Sequence, residues 1–269
     1  MDKRYLLLSV AVLPLFLLAG CKSVKVSQPE TGAQTDIAQI VMMDEDTALT
    51  AVCPQAELYL PGYPAFEDSE AFFNDSVIYQ RSKVLRDTPR GELAIADVST
   101  SLEYYLERFG NEMGVILSRE STPAIAEYVE TTFMFARSGI SNAKNAYHRL
   151  RPYRHFGEPS GVPGVDMGFD AYQSYPSGHS VRGWAIALAL SAIDEADQYR
   201  IIKTGYELGE SRVIVGYHYE SDVMAARLAA SVAFARLASD RYYIKLMRRA
   251  QEELASLKSQ MTDAAVPAA

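Results

Sequence analysis

Apolar residues recur every three or four positions from about residue 66 onward, which is the spacing of amphipathic helices. Leu102, Leu106 and Phe109 form one such stripe, and Gly110 is predicted to end that helix. Another helix is predicted between Pro123 and Gly139, because proline at the first helical position favours a start. Further helices are predicted to begin at Pro89 and near Ser141, and to cover residues 185–193, 196–216, 220–239 and 240–260.

Strand patterns are scarce, and the short β-branched run Val213-Ile214-Val215 lies inside a helical pattern. The chain is therefore predicted to be all-α, with residues 61–262 forming a single helical-bundle domain. Residues 152–176 contain several prolines and glycines without periodicity and are predicted to form a long loop. Loops of this length within a compact domain are often functional.

The first 20 residues are predicted to be a signal peptide that lies outside the fold. Lys3 and Arg4 precede an apolar stretch from Leu6 to Leu18, which is shorter than a membrane-spanning helix requires. The polar residues 21–60 are predicted to form a tether and an N-terminal arm.

The segment Leu18-Ala19-Gly20-Cys21 resembles the lipobox of bacterial lipoprotein signals. The resemblance implies an exported protein with lipid on Cys21. With Lys22 next, it also implies the periplasmic face of the outer membrane, held through that lipid anchor. A soluble periplasmic protein is the alternative if Cys21 is not lipidated. If Cys21 carries lipid, Cys53 lacks a partner, so no internal disulfide is expected, and Cys53 is interpreted as a bystander.

The net charge of −8, without a long run of lysine or arginine, argues against nucleic acid as a partner. Cationic residues nevertheless mark one short segment. Lys144 and Arg151 are seven residues apart, so they would project from one face of a helix that ends before Pro152. With Arg149 and Arg154 nearby, a solvated basic surface is the alternative interpretation of this segment.

Two further segments add a turn and two histidines. Ser177-Gly178 precedes an apolar helix, whose N-terminus would offer unpaired N–H groups and partial positive charge to an anion. His179 would stand at the mouth of the same pocket, although alone it suits a helix cap or a surface. In the third segment, Arg212 supplies a guanidinium suited to phosphoryl oxygens.

His218 and Asp222 complete the third segment. At a spacing of one helical turn, Asp222 would hold the Nδ1–H of His218 and leave Nε2 free for attack. A histidine–aspartate pair at this spacing is by itself most often a surface ion pair. All three segments together indicate a site that binds a tetrahedral oxyanion and cleaves its ester without a metal.

The three segments together resemble the signature of the acid phosphatase and vanadium haloperoxidase superfamily, also called type 2 phosphatidic acid phosphatases. Within it, the chain is most similar to the secreted bacterial class A non-specific acid phosphatases. That similarity rests on the flanking residues 87–91, 174–179 and 209–214. It covers about residues 60–240 and implies the helical-bundle fold of that superfamily.

The resemblance also implies roles for the residues. His218 would be the nucleophile that forms a phosphohistidine, Asp222 would orient it, and His179 would protonate the leaving alcohol. The groups that would bind the phosphoryl oxygens are Lys144, Arg151, Ser177, Gly178 and Arg212. The implied reaction is hydrolysis of small phosphomonoesters without metal or cofactor, with phosphate or vanadate as active-site ligands. The branch is commonly oligomeric, so a homo-oligomer stays open.

Three other functions stay open on the sequence. A haloperoxidase would use bound vanadate in the same pocket, although such enzymes are usually longer. A phosphatase of membrane lipids or lipid A is compatible with a lipid anchor, although those relatives usually have several spanning helices. A non-enzymatic phosphate-binding lipoprotein would need the cations but not the pair of His218 and Asp222.

Two properties of the site are predicted. The nucleophilic histidine has to be neutral while the acidic histidine is protonated, which predicts a bell-shaped pH profile on the acidic to neutral side. Aromatic residues in and beside the loop would form a rim that stacks on aryl or nucleoside groups. They are Tyr153, Phe156, Phe169, Tyr172 and Tyr175. His148 is expected on the solvent side, and His155 is considered for the rim.

Overall fold

The computed structural model describes residues 47–63, 69–164 and 171–265, with side chains as far as residue 262. These residues form α-helices and short 3-10 turns and contain no strand, which confirms the predicted all-α fold. The helices are α1 (Glu70–Ser82), α2 (Pro89–Ala96), α3 (Leu102–Met113), α4 (Pro123–Ser138), α5 (Ser141–Tyr147), α6 (Pro152–His155), α7 (Gly178–Ile193), α8 (Gln198–Ile214), α9 (Glu220–Leu237) and α10 (Arg241–Ala265). None of the described helices is both long enough and apolar enough to cross a membrane.

Helix α7 is the centre of the bundle. It packs against α4, α8 and α9, while α10 lies across α4 and α7, and α1, α2 and α3 lie against α8. Its buried positions point in all directions, as expected for a helix enclosed by others. Helix α9 contributes alanines to the same core, including Ala226 and Ala230, so the helices approach closely and hold the N-terminus of α7 in place.

Two glycines set the distance between α7 and α8. A Cβ atom added to Gly205 of α8 would lie 2.4 Å from the Cβ of Ala187, far inside van der Waals contact. A Cβ added to Gly183 of α7 would lie 3.0 Å from two side-chain atoms of Leu208. The absence of side chains at these two points therefore allows the contact between the two helices.

We expect Gly205→Ala to destabilise the protein. Overpacking against Ala187 should outweigh the better helix propensity of alanine and lower the free energy of unfolding by about 1–3 kcal/mol. A thermal melt should show a Tm lower by roughly 2–10 °C. The matched control is Gly62→Ala, because no atom lies within 4 Å of a Cβ built there. Equal melting temperatures for the two variants would contradict this packing.

The residues before the predicted domain boundary pack against the helices. Cys53 and Ala56 are buried in the core, and the N–H of Ala56 donates to the carbonyl of Gly139 at 2.8 Å. Asp240 accepts from the N–H groups of Thr50 and Ala51, both at 2.9 Å. The sequence predicts a tether and an arm over residues 21–60, but residues 50–60 pack against the helices because Cys53, Ala56 and Leu60 are buried in the hydrophobic core. The signal peptide, Cys21 and the tether as far as residue 46 lie outside the described residues.

Helix boundaries follow the sequence signals at some points and depart from them at others. Pro89 and Pro123 begin α2 and α4, as predicted. Gly110 does not end α3, because Gly114 adopts the left-handed conformation that closes the helix at Met113. Helix α7 begins at Gly178, directly after the Ser177 that caps its N-terminus, which agrees with the helix predicted to follow the Ser177-Gly178 turn.

Candidate active site

A cavity of about 430 Å³ opens where the N-terminus of α7 meets α5 and the turn between α8 and α9. The described residues that line it include four arginine or lysine side chains and two histidines, and none of them is acidic. They are Thr100, Arg137, Ile140, Ser141, Lys144, Asn145, Arg151, Gln173, Gly178, His179, Arg182 and His218. A chain with a net charge of −8 thus concentrates positive charge in one cavity, as an anion site requires.

Lys144 and Arg151 both line the cavity, but not from one helix. Helix α5 ends at Tyr147, His148 follows with φ 45°, and Arg151 is extended at φ −70° and ψ 147°. The prediction of a shared helical face was therefore wrong, because the left-handed His148 ends the helix before Arg151. The Nζ of Lys144 donates to the carbonyl of Gln173 at 2.9 Å, and Arg151 Nη1 donates to the carbonyl of Tyr217 at 2.9 Å.

His218 lies in the turn between α8 and α9, where two contacts determine its neutral tautomer. Its Nδ1 is 2.7 Å from the carbonyl oxygen of Ser174, which can only accept, so Nδ1 carries the hydrogen. Its Nε2 is 3.1 Å from Arg151 Nη1, which can only donate, so Nε2 holds the lone pair. The nitrogen predicted to attack is therefore unprotonated at the cavity wall.

Asp222 is the third residue of α9 and lies next to His218, at 3.6 Å between Oδ2 and Nδ1. That distance is longer than a hydrogen bond, so the Nδ1–H belongs to Ser174 rather than to Asp222. The carboxylate accepts instead from Ser174 Oγ at 2.6 Å, the Tyr219 N–H at 2.8 Å and Arg149 Nη1 at 2.6 Å. The expected direct bond between Asp222 and the ring is replaced by an electrostatic contact.

Arg149 is buried and is not part of a solvated basic surface. It bridges two carboxylates, with Nη1 on Asp222 and Nη2 on Asp75 Oδ2 at 2.7 Å. Its guanidinium also lies over the ring of Tyr219, 4.0 Å from the centroid. Asp75 extends this buried cluster to Ser221, whose N–H it accepts at 3.0 Å. These residues fix the start of α9 and thereby the position of Asp222.

Burial and charge keep the nucleophile neutral. Burial lowers the pKa of His218 to about 3. The nearby carboxylate of Asp222 offsets only part of this effect, and the positive charges of Arg151 and Lys144 also oppose protonation of the ring. Burial alone would raise the pKa of Asp222, but Arg149, His218 and Ser174 together hold that pKa well below its usual range. The pair therefore stands as neutral imidazole and carboxylate above about pH 3.

The N-terminus of α7 carries three of the predicted site residues, Ser177, Gly178 and His179. Ser177 is fully buried and caps the helix, accepting from the hydroxyl of Ser180 at 2.8 Å. Gly178 lies at the cavity wall, where a Cβ would point towards Lys144 at 3.6 Å from its Cε. His179 is partly exposed in the cavity, and its Nε2 is 3.0 Å from the carbonyl of Val98. Since a carbonyl only accepts, Nδ1 is the nitrogen left for proton exchange in the neutral ring.

Arg212 lies behind the cavity wall rather than in it. It is almost wholly buried, donates from Nη1 to the carbonyl of Asp97 at 3.3 Å and leaves its Nε without a hydrogen-bond partner. Burial lowers the pKa of Arg212 to about 10, so the residue still carries its charge near neutrality. Burial also lowers the pKa of His179 well below its ordinary value, and the positive charge of Arg212 lowers it further.

The aromatic rim is not formed as predicted. Tyr153 and Tyr175 are buried, and Phe156 stacks on Tyr79 with ring centroids 5.1 Å apart. Tyr172 is exposed but does not line the cavity, and Phe169 lies outside the described residues. The sequence does not show which way each ring of a loop points, so the burial of these two tyrosines is decided by tertiary packing. His148 is exposed as expected, and His155 packs against Phe72 and Phe156 rather than lining the cavity.

Sequence reasoning missed four residues in or next to this site. Arg137 and Arg182 line the cavity, and Arg149 and Asp75 support Asp222. Arg149 lies inside the first segment without being one of its specified positions, and the other three lie outside the segments. Their partners are distant in sequence, so no local spacing could have revealed them. Within the described residues, no group of three or more histidine, cysteine, aspartate or glutamate side chains is arranged to hold a metal ion.

Comparisons with known proteins agree with this geometry. A family model described as the PAP2 superfamily matches residues 127–245. The non-specific acid phosphatase of Providencia stuartii is 38% identical over 190 residues, which cover 70% of this chain and 76% of that protein. The non-specific acid phosphatase of Salmonella typhimurium is 30% identical over 200 residues, covering 74% of this chain and 80% of that protein.

A shorter match involves a lipid-directed enzyme. The lipid A 1-phosphatase of Rhizobium etli is 35% identical over 103 residues, which cover 38% of this chain and 44% of that protein. These matches, with the helical fold and the cationic cavity, define the class of protein as a phosphoric monoester hydrolase. The chain belongs to the non-specific acid phosphatases of the PAP2 superfamily.

Proposed function

We propose that this enzyme hydrolyses small phosphomonoesters through a phosphohistidine on His218, without a metal ion. Nε2 of His218 attacks phosphorus, and the bond from phosphorus to the ester oxygen breaks as the new P–N bond forms. His179 gives a proton to the leaving oxygen, which departs as an alcohol. A water molecule then attacks phosphorus, His179 takes its proton, and the P–N bond breaks to release phosphate and restore Nε2.

The observation that carries this proposal is the pair of contacts on His218. Ser174 holds the proton on Nδ1, and Arg151 lies 3.1 Å from Nε2, so a cation stands beside the attacking lone pair. When a substrate enters, the N–H of Arg151 that now faces Nε2 can donate its hydrogen bond to a phosphoryl oxygen instead. The remaining phosphoryl oxygens would be bound by Lys144 and by the backbone N–H at Gly178. The positive charge of Arg212, behind the cavity wall, would further stabilise their negative charge.

The acid role of His179 depends on the substrate. Burial and neighbouring cations disfavour its protonated form in the empty site. A bound phosphoryl group brings about two negative charges into the same cavity, which favours the imidazolium and raises the pKa of His179. The proton needed by the leaving group is therefore taken up with the substrate, or arrives on the phosphate monoanion itself.

We expect the turnover rate to fall as pH rises above neutrality. The proton shared by His179 and the bound phosphate is lost in that range, while His218 stays neutral down to about pH 3. Hydrolysis of nitrophenyl phosphate and glycerol phosphate, measured from pH 3 to 9 with EDTA present, should show an acid-side optimum and no loss to the chelator. A flat profile from pH 5 to 9, or inactivation by EDTA, would overturn the metal-independent two-histidine mechanism.

The same cavity should bind vanadate or phosphate as active-site ligands, because both are tetrahedral oxyanions.

We further propose that the enzyme is exported and held at the periplasmic face of the outer membrane through lipid on Cys21. Metabolic labelling with a fatty acid, compared between wild type and Cys21→Ser, tests the anchor.

The match to a lipid A 1-phosphatase makes lipid A the second candidate substrate, and phosphate release from lipid A vesicles distinguishes it from soluble esters.

A further inference from the structure

The cavity contains more positive charge than one phosphoryl group needs. Lys144, Arg151 and Arg212 belong to the phosphate-binding segments, but Arg137 and Arg182 line the same cavity from α4 and α7. A volume of about 430 Å³ also falls in the range of sites that hold whole organic ligands, far larger than a five-atom phosphate ion. Space and charge therefore remain after the phosphoryl group is bound.

Arg182 is held firmly at the cavity wall. It donates from Nη1 to the carbonyl of Thr100, and its guanidinium lies 4.7 Å from the ring centroid of Phe133 and 5.6 Å from that of Tyr105. Only 7% of the residue is exposed, and no carboxylate pairs with it among the described residues. A buried arginine without a carboxylate partner costs folding free energy, and a bound anion would offset that cost.

Arg137 continues the positive charge towards solvent. It is exposed at the end of α4, and its side chain has no hydrogen bond or ion pair with any residue in the described parts of the chain. Its positive charge lowers the pKa of Arg182, and the charge of Arg182 lowers the pKa of His179. Both arginines line the cavity together with His179, the histidine assigned to the leaving group, and Arg182 is buried there while Arg137 is exposed.

We propose that Arg137 and Arg182 form a second anion subsite, which binds a phosphoryl or carboxylate group carried by the leaving alcohol of the substrate. The inference rests on the proposed function, because the orientation of the ester is set by His218 and His179. It names the substrate class as phosphomonoesters whose alcohol bears a second negative group. Neutral alcohols would still react, but with lower kcat/KM.

The test compares substrates that differ only in the second charge. They are 3-hydroxypropyl phosphate and propane-1,3-diyl bisphosphate, with a factor of two allowed for the two equivalent esters of the bisphosphate. Wild type should prefer the bisphosphate, and Arg137→Gln should reduce that preference about tenfold while leaving the monophosphate within twofold. Arg248→Gln is the matched control, since Arg248 is an exposed arginine of α10 that does not line the cavity.

A binding measurement keeps the subsite testable apart from turnover. Calorimetry with propane-1,3-diylbisphosphonate and propylphosphonate should show that Arg137→Gln and Arg182→Gln each weaken the bisphosphonate about tenfold and change the monophosphonate little. An unchanged ratio of the two affinities in both variants would overturn the subsite. Failure of wild type to hydrolyse the monophosphate would instead contradict the proposed function, whatever the binding ratio.

Discussion

His218→Ala is expected to lower kcat by about 10⁴-fold or more, because it removes the atom that forms the covalent bond to phosphorus. The cations that line the cavity remain in this variant, so phosphate or vanadate should still bind within about tenfold of wild type. Turnover of nitrophenyl phosphate and calorimetric binding of phosphate measure the two quantities separately. A rapid acid-free quench of wild type should also trap phosphate on the ring of His218.

Two variants guard this result against a folding defect. His218→Asn keeps an amide donor for the carbonyl of Ser174, which accepts from the ring in wild type, and it should be as inactive as the alanine variant. His148→Asn removes an exposed histidine at positive φ, where asparagine is tolerated, and should keep full activity. Residual kcat above about 1% in both His218 variants would exclude the phosphohistidine.

The sequence was sufficient for the helical class and for the three segments, because both depend on local patterns. Helical periodicity and proline starts placed α2 and α4 at their observed first residues. The spacing of the third segment likewise placed His218 next to Asp222. Local patterns work here since the residues concerned are near in sequence and their neighbours impose one backbone conformation.

Other features could not be predicted because tertiary contacts decide them. His148 has φ 45° without the glycine that usually marks such a turn, so the end of α5 had no sequence signal. Arg149 looked like one of several surface cations, but Asp75 and Asp222, each more than 70 residues away, make it a buried bridge. Arg182 follows the Ser-Gly turn by only four residues, yet only the fold shows that it faces the cavity.

Asp222→Asn is expected to lower the free energy of unfolding by about 3–5 kcal/mol. It removes one of the two carboxylates that the buried guanidinium of Arg149 bridges, so Nη1 of Arg149 loses its charged partner. Its effect on catalysis should be smaller than the tautomer-dependent loss known for buried aspartates that hold a catalytic histidine. Here the Nδ1–H is held by Ser174, so the ring keeps its reactive tautomer. Only the 3.6 Å electrostatic support of the cationic phosphohistidine is lost, which we expect to lower kcat by about 10–100-fold.

Asp75→Asn provides the matched control for Asp222. Asp75 bonds to the other nitrogen of the same guanidinium, at 2.7 Å, but the contacts it makes are with Arg149 and Ser221 rather than with His218. Denaturant unfolding should therefore show a similar loss of stability in the two variants, whereas kcat of the folded protein should fall only for Asp222→Asn. Equal losses of kcat would mean that the cluster acts through the position of α9 alone, and a 10⁴-fold loss in Asp222→Asn would mean that Asp222, not Ser174, controls the tautomer of His218.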